Sequence, residues 1–373
     1  MRVAFYAPMK PPHHPVPSGD RTMARLLMQA LRYGGHTVAL ASTFTSYDRR
    51  GDADRQRRVA RLGEALAGRV IRHMATRPAC RRPELWFTYH VYHKAPDWLG
   101  PVVSRRLGIP YVVAEASHAP KQALGPWAHG HAAAGGAIAD ADRVIALNSA
   151  DLPCLRMLIG DPERLAFLTP FIDAEPFLAA ARVRVPTVAT PHLVAVAMMR
   201  PGDKLASYRV LGRALARLRD RPWRLTVVGD GAARAAVAAA FEPVAGRVQW
   251  RGQTSPSDLP GVLADADLFV WPAVNEAYGL ALLEAQAAGV PVVAGRNGGV
   301  PDVVADGATG ILVPVGDPEV FAEAVSRLLD DPAGRRAMGR TAWERVRRHH
   351  DLPVAARRLD TVLRALTTPQ VPA

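Results

Sequence analysis

The sequence predicts an α/β chain made of two doubly wound domains. Strand, loop and helix patterns alternate along both halves. The 373 residues exceed what one hydrophobic core usually holds. Between the halves lies a stretch without strong periodicity. These observations divide the chain into an N-terminal domain, residues 1–178, a linker, 179–190, a C-terminal domain, 191–350, and a closing helix with a tail, 351–373.

The first half opens with an apolar run, Val3–Ala7, read as a strand. A proline-rich loop follows and ends at Ser18-Gly19-Asp20, where Ser18 or Asp20 supplies a helix N-cap. Met23, Leu26, Leu27, Ala30 and Leu31 then recur at helical spacing, and Gly34-Gly35 stops the helix before a strand at His36–Leu40. Later strands are expected at Leu85–His90, Tyr111–Glu115, Arg143–Leu147 and Leu165–Thr169. The second half begins with strand Leu193–Met198 and a helix over 204–219. Strand Arg224–Val228, the turn Gly229-Asp230-Gly231, a helix over Ala232–Ala240 and strand Val248–Gly252 come next. A helix at Asp258–Ala264, strand Leu268–Trp271, a further helix and strand Pro291–Ala294 complete the parallel pattern. Helices are expected near 317–330 and 334–349, and a last amphipathic helix near 353–366 that returns to the first domain. Thr367–Ala373 reads as a frayed tail.

Composition narrows the function. Cys80 and Cys154 are the two cysteines, without metal-ligand spacing, so neither a disulfide framework nor a structural zinc site is expected. Prolines at 8, 11, 12, 15 and 17 rule out a signal-peptide core, and no apolar run of about 18 residues occurs. The expected location is cytoplasmic, with peripheral attachment to the inner face of the plasma membrane as the alternative. The formal net charge is +13, although the lysines are four, at 10, 94, 121 and 204. The excess peaks in Arg49–Arg82, which holds eleven arginines against Asp52, Asp54 and Glu64. Within it Val59, Leu62, Leu66, Val70 and Met74 mark a basic amphipathic helix, read either as a solvated face or as contact with an anionic membrane surface. No base-stacking or groove-reading pattern accompanies the charge, so nucleic acid is not an expected partner.

The most informative segment runs from Asn275 to Pro291. Glu276 falls in the loop before a helix and Glu284 falls inside it, among Leu280, Ala281, Ala287 and Ala288. A carboxylate on an apolar face needs a partner. Two carboxylates beside the free amides of a helix start suit a ligand with both hydroxyls and an anionic group.

The segment resembles the Glu-x7-Glu signature of the retaining glycosyltransferases of family 4. Gly279-Leu280, the Ala-Gly-x-Pro-Val-Val run at 288–293, Gly298–Val304 and Asp306–Val313 extend the likeness. The resemblance implies the GT-B architecture, two Rossmann-like domains facing a central cleft. It also implies transfer of a hexose-type sugar from a nucleotide-diphosphate donor, UDP-sugar first and GDP-sugar second, without a metal or other cofactor. By that likeness Glu276 holds donor-sugar hydroxyls, Glu284 the ribose diol, and the amides of Tyr278-Gly279-Leu280 the sugar and diphosphate. Asn275 and Tyr278 line the same loop. Arg200 and Lys204 take the place of the family's diphosphate-binding cations, at a spacing one residue shorter than the commoner form. Gly229 and Gly231 bring backbone near the nucleotide and Gln253 contacts the base. Read alone, Gly229-Asp230-Gly231 is a weak dinucleotide fingerprint, and Arg234 stands where the third glycine belongs, so a dehydrogenase is rejected.

In the first half, Gly19 resembles the family's glycine-bearing loop for the acceptor or reacting phosphate. His118, with His90 and His93, follows strand ends that face ligands in such domains, and His118 is the histidine expected beside the reacting sugar. Trp86, Tyr89, Tyr92, Trp98 and Trp127 with the basic helix suit a lipid or lipid-linked saccharide acceptor. The run Pro12–Arg21 resembles a bacterial subgroup that makes glycolipid or surface polysaccharide. A soluble sugar or sugar-phosphate acceptor is the alternative. A sugar-nucleotide epimerase or a non-catalytic nucleotide-sugar sensor would share the same donor site.

Overall fold

A computed structural model describes residues 1–182 and 190–366. Two compact units appear, unit 1 comprising Met1–Leu168 with Leu352–Ala373, and unit 2 comprising Thr169–Asp351.

Unit 1 runs β1 Arg2–Tyr6, α1 Gly19–Tyr33, β2 Thr37–Ser42, α2 Ala53–Ala75, β3 Leu85–Val91, α3 Gly100–Leu107, β4 Tyr111–Ala116, α4 Ala128–Asp140, β5 Arg143–Ala146, α5 Leu152–Ile159 and β6 Leu165–Phe167. The sheet order is β2-β1-β3-β4-β5-β6, with every pairing parallel. The inner strands are buried on both faces, which is why they read as apolar runs without alternation.

Unit 2 runs α6 Glu175–Arg182, β7 His192–Val196, α7 Asp203–Ala216, β8 Arg224–Val228, α8 Arg234–Ala240, β9 Val248–Gly252, α9 Leu259–Ala264, β10 Leu268–Trp271, α10 Leu280–Ala287, β11 Val292–Gly295, α11 Val300–Val303, β12 Gly310–Val313, α12 Pro318–Asp330 and α13 Pro332–Arg345. Its sheet order is β12-β11-β10-β7-β8-β9, again all parallel. A π-turn at Val346–His350 ends α13. The chain then enters α14, Leu352–Arg364, which packs on α1. A Cβ on Gly34 would touch the Ala356 carbonyl at 3.5 Å, and His36 Nε2 lies 3.2 Å from Asp360 Oδ1.

The α/β doubly wound class is therefore what the sequence predicted, with differences in detail. The first unit ends at Leu168 and not at 178, because α6 packs on α9 and α10 with Phe177 and Leu178 buried. Residues 179–182, expected in the linker, continue α6, while 183–189 and the expected tail Thr367–Ala373 lie outside the described residues. The buried stripe of α2 is Gln56, Ala60, Gly63, Ala67 and Met74. It is rotated from the expected one, so Leu62 is 47% exposed. Small residues face inward there because Trp98 presses on Gly63, where a Cβ would collide with it.

Candidate functional site

In an open parallel sheet, ligands bind beyond the strand C-termini where the order reverses. In unit 2 that point lies between β7 and β10. The loop after β7 carries Arg200 and leads into α7, whose first residues are Asp203 and Lys204, and the loop after β10 carries Asn275 and Glu276. Lys204 Nζ is ion-paired with Glu276 Oε2, and Trp271 Nε1 donates to the same oxygen at 3.1 Å. Lys204 Nζ also lies 5.4 Å from the centre of the Trp271 ring. Asn275 Nδ2 donates to Asp203 Oδ2 at 2.8 Å, and the Val274 amide donates to Ser207 Oγ at 3.0 Å. The start of α7 and the loop after β10 are thus tied together by side chains from both. Ala273 and Asn275 hold left-handed φ values of 53° and 51°, which cost about 1–3 kcal/mol each and persist only where the surroundings impose them.

Gly279, with φ 73°, turns the chain into α10, whose first residue is Leu280. Glu284 sits one turn further on, half-buried, and its carboxylate has no hydrogen bond or ion pair among the described residues. Burial pushes its pKa up to about 7. Tyr278, expected to line the loop, has its side chain buried at 6% exposure, so the loop offers its backbone and not its ring.

Gly229 and Gly231 have φ values of 138° and 151°, and a Cβ on either would collide with the Ala197 or Met199 carbonyl. Their first role is to let the β8–α8 turn lie against the segment leading to Arg200; the Met199 amide donates to Asp230 at 2.9 Å. Gln253 and Arg200 are exposed.

Unit 1 reverses its order between β1 and β3. Ser18 caps α1, its hydroxyl accepting from the Arg21 amide at 3.2 Å, and Gly19 is exposed with open space where a Cβ would stand. Asp20 Oδ1 lies 3.4 Å from His90 Nδ1. His90 and Glu115 take left-handed φ values of 67° and 57° at the ends of β3 and β4. Burial opposes charge on His90, but Glu115 and Asp20 outweigh it and carry its pKa up to about 9. Asp20 is driven up by burial and brought below the usual carboxylate range chiefly by its bond to His90. His118 is half-buried against His131 of α4, ring centres 4.5 Å apart, and burial followed by the His131 charge lowers its pKa.

The aromatics expected at an acceptor surface divide. Trp86 and Tyr89 are fully buried, and Trp86 Nε1 donates to Thr88, which shares the buried Asp97 with Tyr111. Tyr92, Trp98 and Trp127 keep partial exposure. Sequence reasoning missed Trp271, Asp203, Glu115 and His131. For Trp271 the available signal was its place at a strand end five residues before Glu276. Among the described residues no group of three metal-ligating side chains comes together and no helix is long and apolar enough to cross a membrane.

Comparison with known proteins places these observations. Over 203 residues the chain is 33% identical to a D-inositol 3-phosphate glycosyltransferase of Corynebacterium glutamicum, covering 50% of this chain and 49% of the relative. Another D-inositol 3-phosphate glycosyltransferase, from Salinispora arenicola, is 35% identical over 234 residues, 57% of this chain and 51% of its own length. A GDP-mannose-dependent monoacylated phosphatidylinositol monomannoside mannosyltransferase of C. glutamicum is 34% identical over 149 residues, covering 38% of this chain and 39% of its own length. The chain thus spans about half the length of the curated relatives it matches first. Among solved structures, a sucrose-phosphate synthase from Thermosynechococcus elongatus superposes with TM-score 0.74 at 21% identity, covering 98% of this chain and 99% of that one. Anabaena HepE in complex with UDP gives TM-score 0.74 at 16% identity, covering 98% and 100%. These likenesses establish the GT-B fold. Residues 190–331, which include every residue named above for the unit 2 site, match the family described as glycosyl transferases group 1.

Proposed function

We propose that the protein is a retaining glycosyltransferase that moves a hexose-type sugar from a nucleotide-diphosphate donor to an acceptor. The observation that carries this reading is the half-buried Glu284 carboxylate, without a partner among the described residues and one helical turn from the α10 start, on the helix that follows the loop bearing the Lys204–Glu276 pair. A ribose diol supplies the donors that Glu284 lacks, and Glu276 takes sugar hydroxyls. Arg200, Lys204 and the amides of Tyr278, Gly279 and Leu280 hold the diphosphate and stabilise the charge that develops as it leaves, without a metal. The C1–oxygen bond to the diphosphate breaks while the acceptor oxygen bonds C1 on the same face. The acceptor's proton passes to the departing phosphate oxygen, so no strong protein base is required. By the family resemblance, His118 attends the reacting sugar. UDP-sugar is the first donor to test and GDP-sugar the second.

The acceptor is a membrane lipid or lipid-linked saccharide of glycolipid or surface-polysaccharide synthesis. The outward face of α2, with Arg55, Arg57, Arg58, Arg61, Arg69 and Arg72 exposed, supports peripheral attachment to an anionic membrane from the cytoplasmic side. A second reading, a soluble sugar phosphate, is favoured by the relatives named for D-inositol 3-phosphate.

The test is a panel of UDP- and GDP-sugars incubated with lipid extract or polyol phosphates, products being identified by mass and anomeric proton NMR. Transfer with retention is expected. Transfer with inversion removes the retaining mechanism, donor conversion without an acceptor indicates an epimerase, and binding without turnover indicates a sensor.

A further inference from the structure

The ends of β3 and β4 and the start of α4 gather basic side chains in unit 1. A tight turn closed by the Ala95 amide on the Tyr92 carbonyl, 2.9 Å, sets His93 and Lys94 at its corner. Beyond β4, His118 is followed by a short turn, Pro120–Gln122, that carries Lys121. From α4, His131 lies against His118, ring centres 4.5 Å apart. Gly130 fixes this assembly: a Cβ there would collide with the His93 carbonyl, and its amide donates to Gln56 Oε1 at 3.1 Å. The Trp127 ring lies 5.7 Å from the His93 ring and 4.6 Å from Lys94 Nζ.

Two features make this more than a solvated basic patch. His93 Nδ1 and His131 Nε2 are buried without a hydrogen-bond partner among the described residues. Burial first, and then the neighbouring Lys94, His131 and Lys121, hold the His93 pKa down at about 4. Asp48 lines the small cavity beside His93 and Lys94. Its oxygens, however, already accept from Gln56 Nε2 and from the Arg50 and Asp52 amides. Cations and imidazoles converge with two ring nitrogens unused, an arrangement that an anion relieves.

We infer that His93, Lys94, His118, Lys121 and His131 form the subsite for a phosphoryl group on the acceptor. The assignment to the acceptor rests on the glycosyltransferase reading. A phosphoryl group fits because its three acceptor oxygens and charge of about −1.5 to −2 match several convergent donors better than a single carboxylate does. The position, beyond the C-terminal ends of central strands, is where a doubly wound unit receives its ligand. A free polyol phosphate and a phosphoinositide headgroup present the same chemistry there.

The full-length protein is titrated with inorganic phosphate at constant ionic strength, and the histidine ring proton signals are followed by NMR. Saturable shifts are expected for His93, His118 and His131, and none for His13 or His349. Lys121→Ala and His131→Gln should each weaken phosphate binding about tenfold, the range of one charge-assisted hydrogen bond. Arg340→Ala, at an exposed position of α13, should leave it unchanged. Absence of a saturable shift, or equal affinity in Lys121→Ala, His131→Gln and the unaltered protein, overturns the site. Competition then distinguishes the sources: glycerol phosphate displaces phosphate if the acceptor is soluble, and vesicles containing phosphatidylinositol 4-phosphate, whose headgroup carries a phosphomonoester, alone displace it if the acceptor is a lipid. Displacement by neither overturns the acceptor assignment. The thermal shift caused by UDP reads unit 2 separately. Its absence beside intact phosphate binding brings down the donor reading and leaves the anion site standing.

Discussion

The Lys204 ammonium and the Glu276 carboxylate are joined as an ion pair across the point where the strand order of unit 2 reverses. Asp20 and His90 make a corresponding acid–base contact across the reversal point of unit 1. In unit 2 the pair joins a residue proposed for the diphosphate to one proposed for the sugar. On that reading donor entry exchanges one internal ion pair for two ligand contacts, and the pair leaves neither charge unpaired in the free protein.

A double-mutant cycle tests this coupling. Lys204→Ala and Glu276→Ala should each lower kcat/KM about 100-fold, and the double variant should fall less than about tenfold below the poorer single one. Fully multiplicative losses would show that the pairing carries no coupling.

Trp271 positions Glu276 through its indole N–H. Trp271→Phe keeps a ring against Tyr208, 5.0 Å away in the native contact, and removes the donor. We expect kcat to fall about tenfold with the melting temperature held within a few degrees. A large loss of stability with kcat retained would assign the residue to packing alone.

Glu284 gives a stability signature with a defined sign. Its native pKa, about 7, lies above the ordinary value of 4.5. The native state therefore keeps a proton that the unfolded chain releases, and stability declines as pH rises from 4.5 to 7. Glu284→Gln should melt with the unaltered protein near pH 4.5 and above it at pH 8, while its donor KM rises. Parallel melting curves across that range would contradict a buried, ionising carboxylate.

His90 has the opposite sign. Its pKa is raised from 6.5 to about 9, so its pairing stabilises the protein fully below 6.5 and is lost as pH passes through 9. His90→Asn suits the left-handed backbone at φ 67° but removes the charge. It should cost on the order of 2 kcal/mol at pH 6, measured by urea unfolding, and much less above pH 9.5. A pH-independent cost would place the effect in packing.

What was legible in the sequence follows how each site is assembled. Glu276, Gly279 and Glu284 belong to one continuous loop and helix, so the sequence already relates them, by their spacing and by the family resemblance. Lys94, Lys121 and His131 come from three separate strand and helix ends, and nothing local relates them. Helix α4 escaped because Ala, Gly and His surround it on all sides without an apolar stripe. Trp86 and Tyr89 looked available because aromatic content does not distinguish the two faces of a strand, and β3 is covered on both. The rotation of α2 depends on Trp98, a contact distant in sequence.

The return of α14 to α1 also orders the events of synthesis. Residues 1–168 leave the ribosome without the segment that covers Gly34 and pairs with His36, and that segment is made only after all of unit 2. Unit 2 therefore has its complete sequence first, although it begins second. A chain interrupted just before Leu352 would hold a finished unit 2 beside an unfinished unit 1, and its defect would lie at the opposite end of the polypeptide from the interruption.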